Sequence, residues 1–336
     1  MYSHSYYVGV YGNTQKTLLA LYDREHQRID LLTAQCVDHE FLPRGFHDFE
    51  EILKNSLDTL LSRNGLRIEQ ITGAALGLAG DDVKRQHQII HQILENMGLK
   101  LFVHANEAAL MVKTESPSGY GVGAINNFGF SVLAIDRAGN TVQVGGLGEI
   151  TGDLEGGYSM ASSVWKSIYR QLFICGETTS MTEDLFRYLG IHTKEEFLEE
   201  ITTISLSGES RNYTDRLLSI LYSNADRGDR VALSILRNVG EEYARAIASA
   251  ARDLPGLTNE TVDVVLAGNQ FIHCRNHTAA ETIDAWLRTN AGFDYRIYKL
   301  GTSPVCGALL WAMEAAGEPA GNEEREKIRR MLWRFF

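Results

Sequence analysis

The feature that most restricts what this chain can become is that it reads as one unit written twice. The first copy opens on "YYVGVYGNTQKTLLALYD" and the second on "GYGVGAINNFGFSVLAIDRAG". Each is apolar on both sides of a glycine-bearing turn, the signature of a β-hairpin. An amphipathic helix follows: "FHDFEEILKNSLDTLLSRNG" in the first copy and, after an insertion, "ALSILRNVGEEYARAIASAARD" in the second. Each helix leads to a buried strand ending in Ala-Gly, "ITGAALGLAG" and "VDVVLAGNQ". A further helix, then one more strand and helix, complete each copy. Strands alternating with helices build mixed α/β layers with a mostly parallel sheet and antiparallel hairpin strands. Two copies make two domains of like fold, and ligand sites favour the cleft between domains.

The stretch "TESPSGYG", Thr114–Gly121, is rich in Ser, Pro and Gly and marks the crossing point. We therefore expect a first domain over 1–117 and a second over 118–318, with a mostly helical insertion at about 159–230. The tail 319–336 is expected to pack back on the first domain as a helix. The length of 336 residues suits two domains.

Composition removes several function classes. The net charge of −11 disfavours a nucleic-acid partner. No apolar run approaches the roughly 18 residues of a membrane span, and "MYSHSYYVGVYG" lacks the basic start and apolar block of a signal peptide. The four cysteines, Cys36, Cys175, Cys274 and Cys306, are scattered without a CxxC pair. That speaks against a disulfide framework or a cysteine zinc site and for a reducing, cytoplasmic setting. His87 and His91 stand i,i+4 but lack the adjacent Glu of HExxH, so they read as a solvated helix face and no metal ligand is assigned. "GNTQKT" lacks P-loop spacing, and "GGLGEITG" has no strand-to-helix setting for a dinucleotide fingerprint.

With "GAALGLAG" (Gly73–Gly80), "GGLGEITGDLEGGY" (Gly145–Tyr158), "VVLAGNQF" (Val264–Phe271) and "PVCGALLWA" (Pro304–Ala312), the duplicated unit resembles the actin-like ATPase and sugar kinase superfamily over nearly its whole length. Within it, the chain is similar to the N-acetylglucosamine kinase group and the BadF/BadG/BcrA/BcrD-type ATPases. The resemblance implies two actin-like (ribonuclease H-like) α/β domains around a cleft. It implies an ATP-dependent kinase of an amino sugar or related hexose, with ATP and Mg2+ as cofactors and a small-molecule sugar and nucleotide as partners, and it is compatible with a homodimer. Gly12, Asn13, Lys16 and Thr17 would lie on the first phosphate turn, Asn127 and Gly129 on the second, and Gly268 and Asn269 beside adenosine. Asn106, Gly146 and Asp153 would hold the sugar, and Glu107 would be the general base. Iron–sulfur activators of the BadF type use cysteines that these four do not match.

The chain departs from that pattern on the phosphate side. The family's first turn usually reads Asp-Gly-Gly-Gly-Thr-Lys-Thr; here Tyr11-Gly12-Asn13-Thr14-Gln15-Lys16-Thr17 stands in its place. Tyr11 replaces the carboxylate that helps to hold hydrated magnesium, so Mg2+ is in doubt and with it ATP. The second turn usually reads Gly-Thr-Gly-Ser and here reads Asn127-Phe128-Gly129-Phe130. A ring cannot donate to a phosphate oxygen as a hydroxyl does. Glu107 keeps the base's carboxylate but moves it by one methylene, or serves as a first-turn acid favoured by the helix dipole. Asp153 binds a ligand or caps its own turn, Lys16 meets a phosphate or lies on a solvated strand, and Glu155 is a replacement acid or a loop charge. Two other readings stand beside the kinase: a catalytically weak sugar- or nucleotide-binding relative, and a BadF-type ATPase with a protein partner.

Overall fold

Long β-rich apolar runs meeting at short turns give each half its antiparallel meander. The computed structural model describes residues 4–148 and 156–335. The first copy runs β1 (Tyr6–Gly12), β2 (Lys16–Asp23), β3 (Arg28–Gln35), α1 (Phe46–Ser62), β4 (Gly73–Leu78), α2 (Lys84–Asn96), β5 (Phe102–Ala105) and α3 (Ala108–Glu115). The second runs β6 (Gly121–Asn126), β7 (Phe130–Ile135) and β8 (Thr141–Gly145), then the inserted helices α4 (Gly157–Phe173), α5 (Met181–Leu189), α6 (Lys194–Ser207) and α7 (Thr214–Asp226). It resumes with α8 (Arg230–Asp253), β9 (Val262–Ala267), the single turn α9 (Asn269–Ile272), α10 (Thr278–Asn290), β10 (Tyr295–Lys299) and α11 (Val305–Ala315), and α12 (Asn322–Leu332) follows.

The duplication is complete at the level of topology. One five-stranded sheet has the order β3-β2-β1-β4-β5 and the other β10-β9-β6-β7-β8, the same order read from the opposite edge. In each, the three meander strands are antiparallel and the two later strands join in parallel. The third strand of each meander, β3 and β8, does not stand out in the sequence. Both lie at sheet edges and are largely half-exposed, so neither shows a clean apolar period.

The two halves exchange their last helices. α11, from the second copy, packs on β1 and β4, while α3, from the first, packs on β6, β7 and β9. Both crossings need a strand without a side chain at the contact. A Cβ on Gly9 would meet Ala308 Cβ at 2.9 Å and Leu309 N at 2.8 Å, and one on Gly123 would meet Ala108 O at 2.3 Å. A shared core results, joining Tyr7, Ala75, Ile125 and Val265 with α3, α11 and Ile328 and Leu332 of α12. Among the described residues no helix is long and apolar enough to cross a membrane.

Candidate functional site

The first turn is a closed hairpin whose backbone is satisfied from within. Asn13 N donates to Lys16 O at 3.0 Å and closes the hairpin. The Asn13 side-chain oxygen accepts from Gln15 N and Lys16 N, both at 2.9 Å. This is an Asx-type turn, in which a short side chain satisfies the backbone two residues on. Amides that a glycine-rich turn would offer to an anion are thus already bonded. No residue of the turn takes a positive φ. Lys16 is exposed, and Thr17 is buried with its hydroxyl oxygen unpartnered.

The second turn is tied differently: the Asn127 side-chain oxygen accepts from Asn269 N at 2.9 Å, joining the turn to the start of α9 within the second half. Gly268, with φ 90°, must be glycine: a Cβ there would meet Asn126 O at 2.4 Å. Phe130 turns into the second half's core and rests on Tyr243, ring centroids 4.3 Å apart. Phe128 stays at the turn and stacks on Tyr158 at 5.1 Å.

Between the turns lies a cavity of about 220 Å³ whose walls include Tyr11, Asn13, Lys16, Asn127, Gly268 and Asn269, with Phe335 from the chain's end reaching the same wall. Small-molecule sites usually occupy roughly 300–1,000 Å³, so the cavity is small for a whole nucleotide.

Tyr11 separates this cavity from a buried acidic junction. Its ring lines the cavity, Asn13 Nδ2 donates to its hydroxyl at 3.2 Å, and that hydroxyl bonds to Glu107. Glu107 begins α3, is buried, and has one carboxylate oxygen without a partner. Burial, followed by the charges of Asp82 and Asp38, pushes its pKa up to about 8, against the opposing bond from Tyr11. Burial raises the Tyr11 phenol far above its ordinary value, with Glu107 adding to the shift. Asp82 is pushed up to about 6, again chiefly by burial, although Gln143 and Asn106 hydrogen bonds counter it. Asn106 Nδ2 and Gln143 Nε2 both donate to Asp82 Oδ1 at 2.6 Å. Asn106 Oδ1 accepts from Ala108 N at 2.9 Å, capping α3, and from Ser131 Oγ at 3.2 Å. Residues from β7, β8 and the ends of β4 and β5 therefore meet at one polar knot bridging the two sheets.

The residues present do not fit hydrated magnesium at this place. Magnesium is bound by one or two carboxylates together with substrate phosphates. Tyr11 brings a neutral phenol and no carboxylate to the first turn, and Asp82 Oδ1 is taken by two amides.

Of the residues singled out in the sequence, Asn13, Lys16, Asn127, Gly268 and Asn269 share the cavity, and Gly12 and Thr17 lie at the base of its first turn. Gly129 lies at the second turn with open space where a side chain would stand. Asn106, Glu107 and Gly146 gather at the knot, where a Cβ on Gly146 would come within 3.4 Å of Asp82 Oδ1. Asp153 and Glu155 lie outside the described residues. Sequence reasoning missed Asp82, Gln143, Ser131 and Asp38. For Asp82 a signal existed: "GLAGDD" puts acids directly after a buried parallel strand, where open α/β sheets bind ligands.

The comparisons with known proteins agree with this architecture. The N-acetylmuramic acid/N-acetylglucosamine kinase of Clostridium acetobutylicum is 22% identical over 270 residues, 78% of this chain and 84% of that protein. The N-acetyl-D-glucosamine kinase of Dictyostelium discoideum is 20% identical over 269 residues, 77% and 82% of the two chains. Among solved structures, a Chromobacterium violaceum protein provisionally named N-acetylglucosamine kinase superposes with a TM-score of 0.63 at 17% identity, covering 92% of this chain and 99% of that one. The ROK hexokinase of Thermus thermophilus does so at 0.53 and 14% identity, covering 93% and 99%. At such identities the structures speak for the two-domain actin-like fold alone. The profile that describes the BadF/BadG/BcrA/BcrD ATPase family matches residues 8–312, and the chain belongs to that family.

Proposed function

We propose that the chain is an ATP-dependent kinase of an amino sugar or related hexose, slowed by Tyr11. The observation that carries this reading is Glu107, a buried carboxyl at the start of α3 between the two sheets, beside the cavity formed by the two hairpin turns. The curated relatives, named as kinases of N-acetylglucosamine and N-acetylmuramic acid, support the substrate class. Phosphoryl transfer needs a group to accept the sugar hydroxyl's proton and donors to hold the phosphate in line. Glu107 accepts that proton only when ionised, which at a pKa of about 8 is about one molecule in ten at pH 7. For transfer, Tyr11 must leave the path between cavity and Glu107. ATP in the cavity and a sugar at the Asp82–Asn106–Gln143 knot belong to the same reading, with Asp153 as a candidate sugar ligand. The first turn supplies no magnesium-holding carboxylate in this arrangement, so magnesium for transfer would arrive on the ATP phosphates.

A second reading, a sugar- or nucleotide-binding relative without transfer, is favoured by the first turn, whose amides are capped by Asn13. Incubation with ATP and N-acetylglucosamine, N-acetylmuramic acid or glucosamine, read by sugar-phosphate formation and by thermal shift, separates the two. Sugar phosphate above the no-enzyme background supports the kinase. Stabilisation by sugar or nucleotide without any phosphorylated product supports the binding protein and removes the kinase.

A further inference from the structure

Away from the cleft, three imidazoles surround one buried carboxylate. His87 and His91 occupy successive turns of α2, His104 lies on β5, and Asp81 follows β4. Asp81 Oδ2 lies 2.7 Å from His104 Nδ1, and Asp81 Oδ1 lies 3.1 Å from His87 Nδ1. His104 presents its other nitrogen, Nε2, to His91 Nδ1 at 3.3 Å. The Asp81 carboxylate is wholly buried, and among the described residues no Lys or Arg pairs with it. Spacing along the chain showed only the helix-face pair; Asp81 and His104 arrive from neighbouring strands.

We propose that Asp81, His87 and His104 form a binding site for one divalent transition ion of the zinc class, with His91 holding His104 in position. One ligand atom from each of the three lies within 4.8 Å of the others. Two imidazoles and a carboxylate are an established donor set for zinc, leaving a fourth position for water. Metal-bound histidine ordinarily has its second ring nitrogen tied by another group, the relation of His104 to His91. The rings of His87 and His104 are stacked, centroids 4.0 Å apart and planes 23° apart. To share an ion with His104, His87 must turn its ring, and with its side chain 49% exposed it has room to do so and gives the ion access from solvent.

Two other histidine–carboxylate groups lack these properties. His4, Asp23 and His26 lie mostly at the surface, and Asp48, in the group with His47 and Glu51, already bonds Arg44. An ion at Asp81 would also fix the turn bearing Asp82, and so the knot of Asn106 and Gln143 that joins the sheets.

The test is titration of the metal-free full chain with Zn2+ by calorimetry, with Co2+ absorption as the spectroscopic readout. Neither depends on enzymatic activity. One ion per chain is expected, with a melting temperature that rises as Zn2+ is added, since selective binding to the native state stabilises it. His87→Ala, at an exposed position that leaves the fold intact, should weaken Zn2+ by at least tenfold and abolish the Co2+ visible bands. His91→Ala should weaken it by about 10- to 100-fold through the freed His104 ring. His4→Ala/His26→Ala should leave both signals unchanged. Absence of a saturable one-to-one event overturns the proposal, as does a signal that survives His87→Ala or disappears with His4→Ala/His26→Ala.

Discussion

At Glu107 a single buried carboxyl is shifted far from its ordinary titration range. Its pKa in the fold, about 8, stands above the ordinary 4.5 because burial and nearby Asp82 and Asp38 disfavour the anion. With a raised folded pKa, the stabilising contribution is complete below about 4.5 and is lost as pH climbs to about 8. Every tenfold change in a protonation equilibrium is worth ~1.36 kcal/mol. Glu107→Gln, which cannot ionise, should therefore gain stability over wild type by a few kcal/mol as pH is raised from 5 to 8. Denaturant titrations of both proteins at the two pH values measure this, and an unchanged difference would show that Glu107 is already ionised in the fold. Asn13 allows a second prediction. Replacing it by Gly frees the amides of Gln15 and Lys16 and should tighten ADP binding by about tenfold, ~1.4 kcal/mol or one hydrogen bond's worth, read by calorimetry. That an Asn here closes its own turn was legible in principle, since Asn bonds the backbone two residues on. The knot at Asp82 was not legible, because Asn106, Ser131 and Gln143 reach it from elements that only the folded chain brings together.

At the scale of elements, the hairpins, the amphipathic helices and the buried strands were readable because each carries its own period. β3 and β8 were not, for their half-buried edge positions mix polar and apolar residues on both faces. The tail shows what one helix can do for its neighbours. Arg325 in α12 donates to the carbonyls of Lys113, Thr114 and Ser116 at 3.3, 3.2 and 2.7 Å, and Arg329 bonds Thr114 O at 2.6 Å and Glu115 at 2.9 Å. These are carbonyls left open at the C-terminal end of α3, where positive charge is favoured. Ile328 and Leu332 add buried apolar surface on the same helix. Arg325→Ala should cost ~1.5–3 kcal/mol, the range for bonds to a charged group, seen as a lower melting temperature. No loss on substitution would mean that water satisfies the α3 carbonyls equally well.

Across the whole molecule, the exchange of α3 and α11 is what makes two copied units a single body with one cleft. The repeat itself was legible, but the exchange was not, since no local pattern says which sheet a helix will cover. The crossings at Gly9 and Gly123 can be tested by volume. Gly123→Ala places a methyl against Ala108 O and should destabilise by ~1–3 kcal/mol, as overpacking does, whereas Gly129→Ala enters open space and should be close to neutral. Equal effects in chemical denaturation would contradict the close crossing. In the proposed kinase reading, transfer rests on the displacement of Tyr11 and the ionisation of Glu107. The measurement that tests this most directly is the pH dependence of kcat/KM for ATP-dependent phosphorylation of the best amino-sugar substrate, wild type against Glu107→Gln, with kcat read in the same runs. We predict a kcat/KM that rises up to pH about 8, in step with the Glu107 carboxyl, and that is lost in Glu107→Gln. At neutral pH, kcat should fall below the ordinary kinase range of roughly 1–100 per second. An ordinary kcat at pH 7 with a profile flat between pH 6 and 9, or a Glu107→Gln variant as active as wild type, would contradict it.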